Sequence, residues 1–493
     1  MAAAQNPELR QTARHSAIYA VGTVFRRVSG LVMLPIYTRY LTPADYGVVE
    51  LLTTTINLLG ILVGLRMGQA LFRYYILEER EEQRHEVAST VLLTVILTSA
   101  LGTLVLALSS SALCRLIFGS TQYLYEFNLF LVTLATNAIS AVGMSYLRAR
   151  RMPVVYVSVA IAVMLFEIVL NVWFVVMLEL HVTGVVYSAV ISGAVLATAL
   201  SLYMLVRSGL HFSRPLAWEL IGFVWPLILA GLGASYVAFA NRYFLRVFGS
   251  LHDVGLFALA SRLASVLGMA FEAFNMSWVA DRFEIVKKSN ARAIYAQFFR
   301  FLSAVIILAG AALSLFASDF FRIITVPEFY PAARIVPILI VSVIIRMFGW
   351  YCNFGAIYMG QTRVLAEAAW GKAMVSTAAF LLLIPPVGVY GAALGLLIGN
   401  LVEFAWLYRR SNALYDMGLE WRPVILMATP ATILTLIMLI LPAGEVVYFA
   451  LRLIAFAALA VIIIALPVWR ADERAMIRDV LLSFMRPRHA RKP

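Results

Sequence analysis

RYLTPADYGVVELL, at Arg39–Leu52, has an altered copy further along the chain in RVFGSLHDVGLFAL, at Arg246–Leu259. Both stretches begin with an arginine, pass through a short polar turn to Asp-x-Gly, and end in an apolar run. Gly47 and Gly255 occupy the same place in the two stretches and are 208 residues apart. An echo at this distance predicts an internal repeat of roughly 200 residues, and such a repeat determines the expected fold.

A second echo has nearly the same offset. HVTGVVYSA (His181–Ala189) resembles PPVGVYGAA (Pro385–Ala393), and Gly184 and Gly388 are 204 residues apart. Two independent echoes with nearly equal offsets are more than chance would commonly give. We therefore predict that the chain consists mainly of two related halves.

The composition is that of a membrane protein. Of the 493 residues, 62% are hydrophobic and 13% are charged, whereas soluble domains average about 45–50% apolar and about 25% charged residues. This excludes a water-soluble enzyme. The net charge of +13 indicates cytoplasmic loops facing anionic lipid rather than a nucleic-acid partner. Cys114 and Cys352 fit neither a disulfide framework nor a metal site.

Fourteen apolar runs are long enough to cross a bilayer, for which about 20 residues are needed. Their approximate centres are Gly30, Leu59, Ser99, Leu134, Met164, Val190, Leu229, Leu267, Ile307, Ile345, Val375, Leu396, Leu434 and Ala457. We predict an all-α polytopic membrane protein with about 14 transmembrane helices. Two six-helix halves entering from the same side, as parallel repeats, are a transporter arrangement with the substrate site between them. The predicted units are residues 1–210 (helices 1–6), 211–412 (helices 7–12), 413–470 (helices 13 and 14) and 471–493 (a basic cytoplasmic tail).

The basic residues between spans give the orientation. Of the 39 Lys and Arg residues, we place 26 in one alternating set of connections and tails, 6 in the opposite set and 7 inside spans. Cytoplasmic loops carry the excess of Lys and Arg. This asymmetry predicts that both termini are cytoplasmic.

Ionisable residues inside the apolar runs need a partner or water, because each costs about 2.5–3.5 kcal/mol in mid-bilayer. The basic ones are Arg26, Arg27, Arg66, Arg262, Arg346, Lys372 and Arg452, and the acidic ones nearest mid-span are Glu167 and Glu272. For Arg452, snorkelling to the headgroups suffices, and for Arg66 snorkelling and a site are equally favoured. Lys372 is interpreted as a local ion pair with Glu367, and Glu403 as solvated.

The deeper charges have two interpretations. Arg26 and Arg27 lie near the middle of the first helix, Arg346 lies near the centre of the tenth, and Glu167 has Asn171 at i+4 on the fifth. On the eighth helix, Arg262, Ser265, Met269 and Glu272 recur at spacings of three and four, which makes one face. They form either interhelical ion pairs or a water-filled cavity that faces substrate, and we favour the cavity. Its surplus of cations suits a diphosphate or an acidic sugar.

No catalytic or metal-binding pattern is found. The six histidines lie in tails, loops or helix ends without metal-ligand spacing. There is no P-loop and no Gly-x-Ser-x-Gly, and no loop exceeds roughly 20 residues. The sequence thus predicts a non-enzymatic protein without a cofactor.

LVMLPIYTRYLTPADYGVVELLTT (Leu31–Thr54), preceded by a polar N-terminal helix, resembles the oligosaccharide flippases of the multidrug/oligosaccharidyl-lipid/polysaccharide exporter superfamily. The segment Arg39–Gly47 is the recognisable part. Fourteen spans, two halves and short loops extend the resemblance over the whole chain. It implies a flippase of the bacterial cytoplasmic membrane that moves a polyprenyl-diphosphate-linked oligosaccharide for O-antigen, capsule or exopolysaccharide synthesis, by alternating access.

The resemblance also implies site residues and partners. Related lipid II flippases use a cationic cavity with arginines on helices one, two and eight, and Arg26 or Arg27, Arg66 and Arg262 occupy those helices here. Expected partners are the lipid-linked oligosaccharide, membrane lipids and a polysaccharide polymerase. A lipid II flippase, a drug or cation antiporter and a non-transporting scaffold of a polysaccharide assembly complex stay open as alternatives. Arg27 follows Arg26 where lipid II flippases have an acid, which favours the polysaccharide branch.

Overall fold

The computed structural model describes residues 33–64, 66–442, 445–470, 473 and 474. Within these ranges all regular structure is helical, as lipid requires when every backbone polar group must be satisfied inside its own segment. The first eight helices are α1 (Leu34–Tyr40), α2 (Pro43–Val63), α3 (Met67–Leu77), α4 (Glu81–Leu108), α5 (Ser110–Phe118), α6 (Leu124–Ala149), α7 (Pro153–Asn171, continued by a π-helical turn at Val172–Met177) and α8 (His181–Ser208).

Ten further helices follow, and several of them line the cavities described below. They are α9 (Arg214–Phe248), α10 (Leu251–Ile285), α11 (Ala291–Leu315), α12 (Ala317–Ile324), α13 (Val336–Cys352), α14 (Phe354–Tyr358), α15 (Thr362–Val387), α16 (Val389–Leu414), α17 (Trp421–Leu439) and α18 (Val446–Ala465). A 3-10 helix, Pro327–Arg334, joins α12 to α13. Tyr46, Phe257, Phe299 and Tyr351, from α2, α10, α11 and α13, are among the largest fully buried side chains.

Twelve segments of the described ranges are long and apolar enough to cross a membrane. Each of them contains one of the predicted span centres. The predicted seventh centre, Leu229, falls in the 35-residue helix α9, and the first, Gly30, lies outside the described residues. The prediction of an all-α polytopic membrane protein is confirmed. The predicted division into halves stays a prediction; its boundary at residue 210 falls between α8 and α9.

The first echo marks two helix starts of the same construction. Thr42 caps α2 by accepting from the Asp45 backbone N–H at 3.1 Å, and Asp45 Oδ2 accepts from the Thr42 N–H at 3.1 Å. Ser250 and Asp253 repeat this capping box at the start of α10, with distances of 3.2 and 3.0 Å. The echoed aspartate is therefore the third helical residue of a capping box, and its side chain accepts from the backbone N–H of the N-cap residue.

The two echoed glycines bring these helix starts together. A Cβ on Gly47 would overlap the Leu251 carbonyl, and a Cβ on Gly255 would overlap the Pro43 carbonyl. Helices in membranes approach this closely only where small residues lie at the contact. The contact is reciprocal, as a two-fold relation between the two stretches would produce.

In the second echo, the glycines that make similar close contacts are not the two that the sequences align. Gly184, in the first turn of α8, lies so close to the Phe174 backbone that a Cβ would stand 3.0 Å from its carbonyl atoms. On α16 the equivalent contact is made by Gly391, whose Cβ would overlap the Leu383 carbonyl. Gly388 instead ends α15 with φ of +55°, a conformation that favours glycine. Gly391 lies three residues after the glycine that the sequence echo pairs with Gly184.

Two buried arginines, Arg452 and Arg300, form ion pairs that link α17 and α18 to the rest of the described chain. Arg452, on α18, binds both carboxylate oxygens of Asp319 at 2.9 and 2.8 Å and is 2% exposed, so the predicted snorkelling is wrong. Arg300, on α11, binds Glu420 at 2.6 Å and Glu473 at 2.5 Å. These pairs lie at opposite ends of α17 and α18.

Candidate functional site

A polar cavity of about 450 Å³ lies between α9, α10, α13, α15 and α16. Three basic side chains and one acidic side chain are found among its lining residues. Its polar and charged lining consists of Asn241, Arg242, Ser261, Ser265, Ser342, Arg346, Lys372, Asn400 and Glu403. Two other cavities, of about 500 and 400 Å³, have almost entirely apolar walls. The polar cavity is therefore the best candidate for a charged ligand.

Lys372 and Glu403 form an ion pair across the cavity wall, with Nζ and Oε2 2.8 Å apart. The predicted partner of Lys372 was Glu367, which instead accepts from Arg363 at 3.0 Å and lies 3.9 Å from Arg410. Residues five apart do not face each other on a helix, whereas those three or four apart do. Glu403, predicted to be solvated, has only 17% of its side chain exposed.

Arg346 lies on the α13 side of the cavity and is stacked over the Trp350 ring, 5.4 Å from its centre. It forms no ion pair within 4.0 Å to any described residue, and its buried Nε has no hydrogen-bond partner among them. From α16, Asn400 donates to the Ser342 backbone oxygen and hydroxyl at 3.1 and 2.8 Å, while its own Oδ1 accepts from no described group. The cavity therefore holds hydrogen-bonding capacity that the described protein groups leave unused.

The Glu50 cluster, formed by Glu50, Arg242 and Arg262, connects α2 with α9 and α10. Glu50 Oε1 accepts from Arg242 Nε at 2.7 Å, and its Oε2 lies 3.9 Å from Arg262 Nη2. Arg262 also stands over the Tyr46 ring at 5.5 Å. Arg242 lines the polar cavity as well, so the cluster adjoins that cavity.

Sequence reasoning missed both Glu50 and Arg242. Arg242 was counted among the six basic residues of the less basic set of connections between spans, but it lies inside α9. Glu50 carries a visible signal, since it is an acid within the apolar run GVVELL directly after the first echo. Glu272, which shares a helix with Arg262, was favoured as the acid on that face. The structure instead places Glu50, from another helix, 3.9 Å from Arg262.

Arg66 lies elsewhere, at a break in the predicted second span. The helix stops at Val63 and resumes at Met67, and Arg66 has φ of +48°, in the left-handed region. It lines a separate cavity of about 250 Å³ together with Asn57 and Asn137.

Glu167 is half-buried on α7 and forms no ion pair with any described residue. Asn171, predicted on the same face, donates to the Glu167 backbone oxygen at 2.9 Å and accepts from the Tyr37 hydroxyl at 2.9 Å. Of the predicted site residues, Arg346 and Lys372 share the polar cavity and Arg262 adjoins it. Arg26 and Arg27 lie outside the described residues.

The fold is similar to that of several solved transporters. The lipid II flippase MurJ in its inward closed conformation is 11% identical, with a TM-score of 0.73 over 94% of this chain and 100% of that chain. An inward-facing multidrug resistance MATE family transporter of the MOP superfamily is 18% identical, with a TM-score of 0.59 over 79% and 95%. A MOP superfamily transporter from Pyrococcus furiosus, described by a binding pocket of reverse polarity, is 17% identical, with a TM-score of 0.53 over 82% and 96%.

No curated protein sequence matches the chain. The family model described as "Polysaccharide biosynthesis protein" matches residues 12–279, more than half of the chain. This match includes both stretches of the first echo and all three residues of the Glu50 cluster. With its fold of membrane flippases and transporters, the chain belongs to the polysaccharide biosynthesis protein family.

Proposed function

We propose that this protein is a non-enzymatic flippase that moves a polyprenyl-diphosphate-linked oligosaccharide across the bacterial cytoplasmic membrane for surface polysaccharide synthesis. Both termini would be cytoplasmic, and a polysaccharide polymerase would use the product. Membership of the polysaccharide biosynthesis family and the shared fold support a transporter of this kind. The observation that carries the proposal is the cationic surplus of the polar cavity.

The cavity chemistry favours a phosphate-bearing substrate. A guanidinium offers a planar fork of donors that fits phosphate oxygens in a bidentate manner. Arg346 carries such donors at the cavity wall, and no acid of the described residues lies within 4.0 Å of its guanidinium nitrogens. Lys372 already neutralises Glu403. An organic cation would meet repulsion in this cavity, which argues against a drug or cation antiporter.

Arginine contacts with the diphosphate would occur while the polyprenyl tail stays in lipid. Arg346 would act from within the cavity, and Arg262 from its edge beside Arg242. Arg26, Arg27 and Arg66 are proposed as further contacts, and Glu167, Glu272 and Lys372 as charge partners or coupling groups. An arginine held away from water is costly, and anionic oxygens would offset that cost.

A lipid II flippase is the second candidate, and the TM-score of 0.73 to MurJ over 94% of the chain favours it. The two candidates differ in the sugar, not in the diphosphate chemistry. Complementation separates them, because the chain would restore growth to cells depleted of their lipid II flippase in one case and surface polysaccharide to a polysaccharide-flippase deletion in the other.

The first test replaces Arg346 by Gln and measures surface polysaccharide per unit of membrane-inserted protein. We expect export to fall at least about tenfold, the factor for about 1.4 kcal/mol of lost interaction, because glutamine lacks both the charge and the fork. Arg346→Lys should retain partial export, since it keeps the charge. Arg363→Gln is the matched control, as that side chain is 88% exposed. Unchanged export by inserted Arg346→Gln protein would refute the role of the cavity.

A further inference from the structure

Glu50 joins α2 to two other helices through a single carboxylate. It accepts from Arg242 on α9 at 2.7 Å and lies 3.9 Å from Arg262 on α10. Nearby, the hydroxyls of Thr55 and Tyr243 are 2.9 Å apart and join α2 to α9 a second time. The Glu50 side chain is only 12% exposed, so its interaction with the arginines is weakly screened.

One of these two arginines belongs to the polar cavity. Arg242 is one of its lining residues, and Arg262 lies in sequence between the lining residues Ser261 and Ser265 of α10. An anion in the cavity would therefore compete with Glu50 for guanidiniums that Glu50 now holds. A diphosphate carries more charge than one carboxylate and offers more oxygens for bidentate bonds. It can displace a single carboxylate from a pair of arginines.

We propose that Glu50 is a latch, a carboxylate that occupies the place of the substrate's diphosphate and holds α2 against α9 and α10 until that diphosphate takes over Arg242 and Arg262. The identity of the displacing anion rests on the proposed function, whereas the latch itself rests on the geometry of the cluster. Substrate arrival would then release the α2–α10 contact at Gly47 and Gly255. A ligand shifts such an equilibrium only through its different affinity for the two states, and competition with Glu50 supplies that difference.

Ala258 offers a reporter for the state of this contact. It is 1% exposed and lies on α10 three residues after Gly255 and four before Arg262, hence on the face that meets α2. The experiment uses full-length purified protein in detergent with Cys114→Ala, Cys352→Ala and Ala258→Cys. The measured quantity is the rate at which a water-soluble maleimide labels the cysteine introduced at position 258.

With the latch intact, we expect slow labelling. Glu50→Gln should raise the rate about tenfold or more, because glutamine cannot hold two guanidiniums by charge. Glu126→Gln is the matched control, since Glu126 accepts from Thr183 at 2.9 Å and joins α6 to α8 rather than to α9 or α10. A Glu50→Gln rate equal to that of the control would overturn the latch.

Inorganic pyrophosphate serves as the probe of displacement, against sodium chloride at equal ionic strength. It should accelerate labelling of the reporter with Glu50 several-fold and leave the already fast Glu50→Gln reporter unchanged. No acceleration would overturn displacement by a diphosphate. If the Glu50→Gln variant gives no monodisperse protein, adding increasing pyrophosphate to the reporter that retains Glu50 still tests displacement. The labelling assay contains no lipid-linked sugar. Its result therefore does not depend on whether the protein exports an oligosaccharide.

Discussion

Arg452 shows how a single charge can be held inside this protein. It is 2% exposed, binds both oxygens of Asp319, and also donates to the backbone oxygens of Leu441 and Pro442 at 2.9 and 3.0 Å. Each of these acceptors offsets part of the cost of removing the guanidinium from water. Arg346, by contrast, has no comparable set of acceptors among the described residues. This contrast separates a structural arginine from one available to a ligand.

We expect Asp319→Asn to destabilise the protein by about 3–5 kcal/mol, the usual cost of leaving one member of a buried pair uncompensated. Thermal unfolding of purified protein in detergent measures it, as a lower Tm. Glu445→Gln is the matched control, because Glu445 lies exposed at the start of α18, the helix that carries Arg452, without a capping hydrogen bond. Equal Tm values for the two variants would show that the pair is not important for stability.

Sequence reasoning identified which charges are unusual but not their partners. Arg262, Arg346, Lys372 and Arg452 stand out because they interrupt apolar runs, which is a local property. Their partners, such as Glu50 and Asp319, come from other helices. Helical spacing predicts only neighbours three or four residues apart, so it could not reveal partners brought together by tertiary packing.

At the scale of the helix, the first echo turns out to be a packing motif as well as a repeat. Its aspartate completes a capping box, and its glycine allows the backbone of the other helix start to approach closely. The spans themselves were predictable, because a membrane helix needs about 20 apolar residues whatever its neighbours are. The break at Arg66 was not predictable, since the apolar pattern continues to Gly64 and no proline marks the end.

We expect Gly47→Ala and Gly255→Ala each to lower the Tm and the yield of folded protein, since the new methyl group overlaps backbone that cannot move aside cheaply. Helix propensity alone predicts the opposite, a gain of about 1 kcal/mol per substitution. Gly222→Ala is the matched control on α9, because a Cβ there meets nothing within 4 Å. A rise in Tm for all three variants would contradict close packing at the echo.

At the scale of the whole molecule, α2 contacts α9 and α10 along a seam that runs from the start of α2 to Thr55. The glycine contact, the Glu50 cluster and the Thr55–Tyr243 bond all lie along this seam. The polar cavity adjoins the seam through Arg242. Under the proposed function, a substrate in the cavity would therefore act on these contacts through Arg242.

The most direct test of the cationic-cavity account is flipping by purified protein in vesicles. The measurement is the rate at which a polyprenyl-diphosphate-linked oligosaccharide, loaded in the inner leaflet, becomes accessible to a glycosidase added outside. The account predicts rapid exposure with the unmodified protein and a rate lower by at least about tenfold with Arg346→Gln, while Arg363→Gln stays unchanged. An Arg346→Gln rate equal to that of the unmodified protein would contradict it.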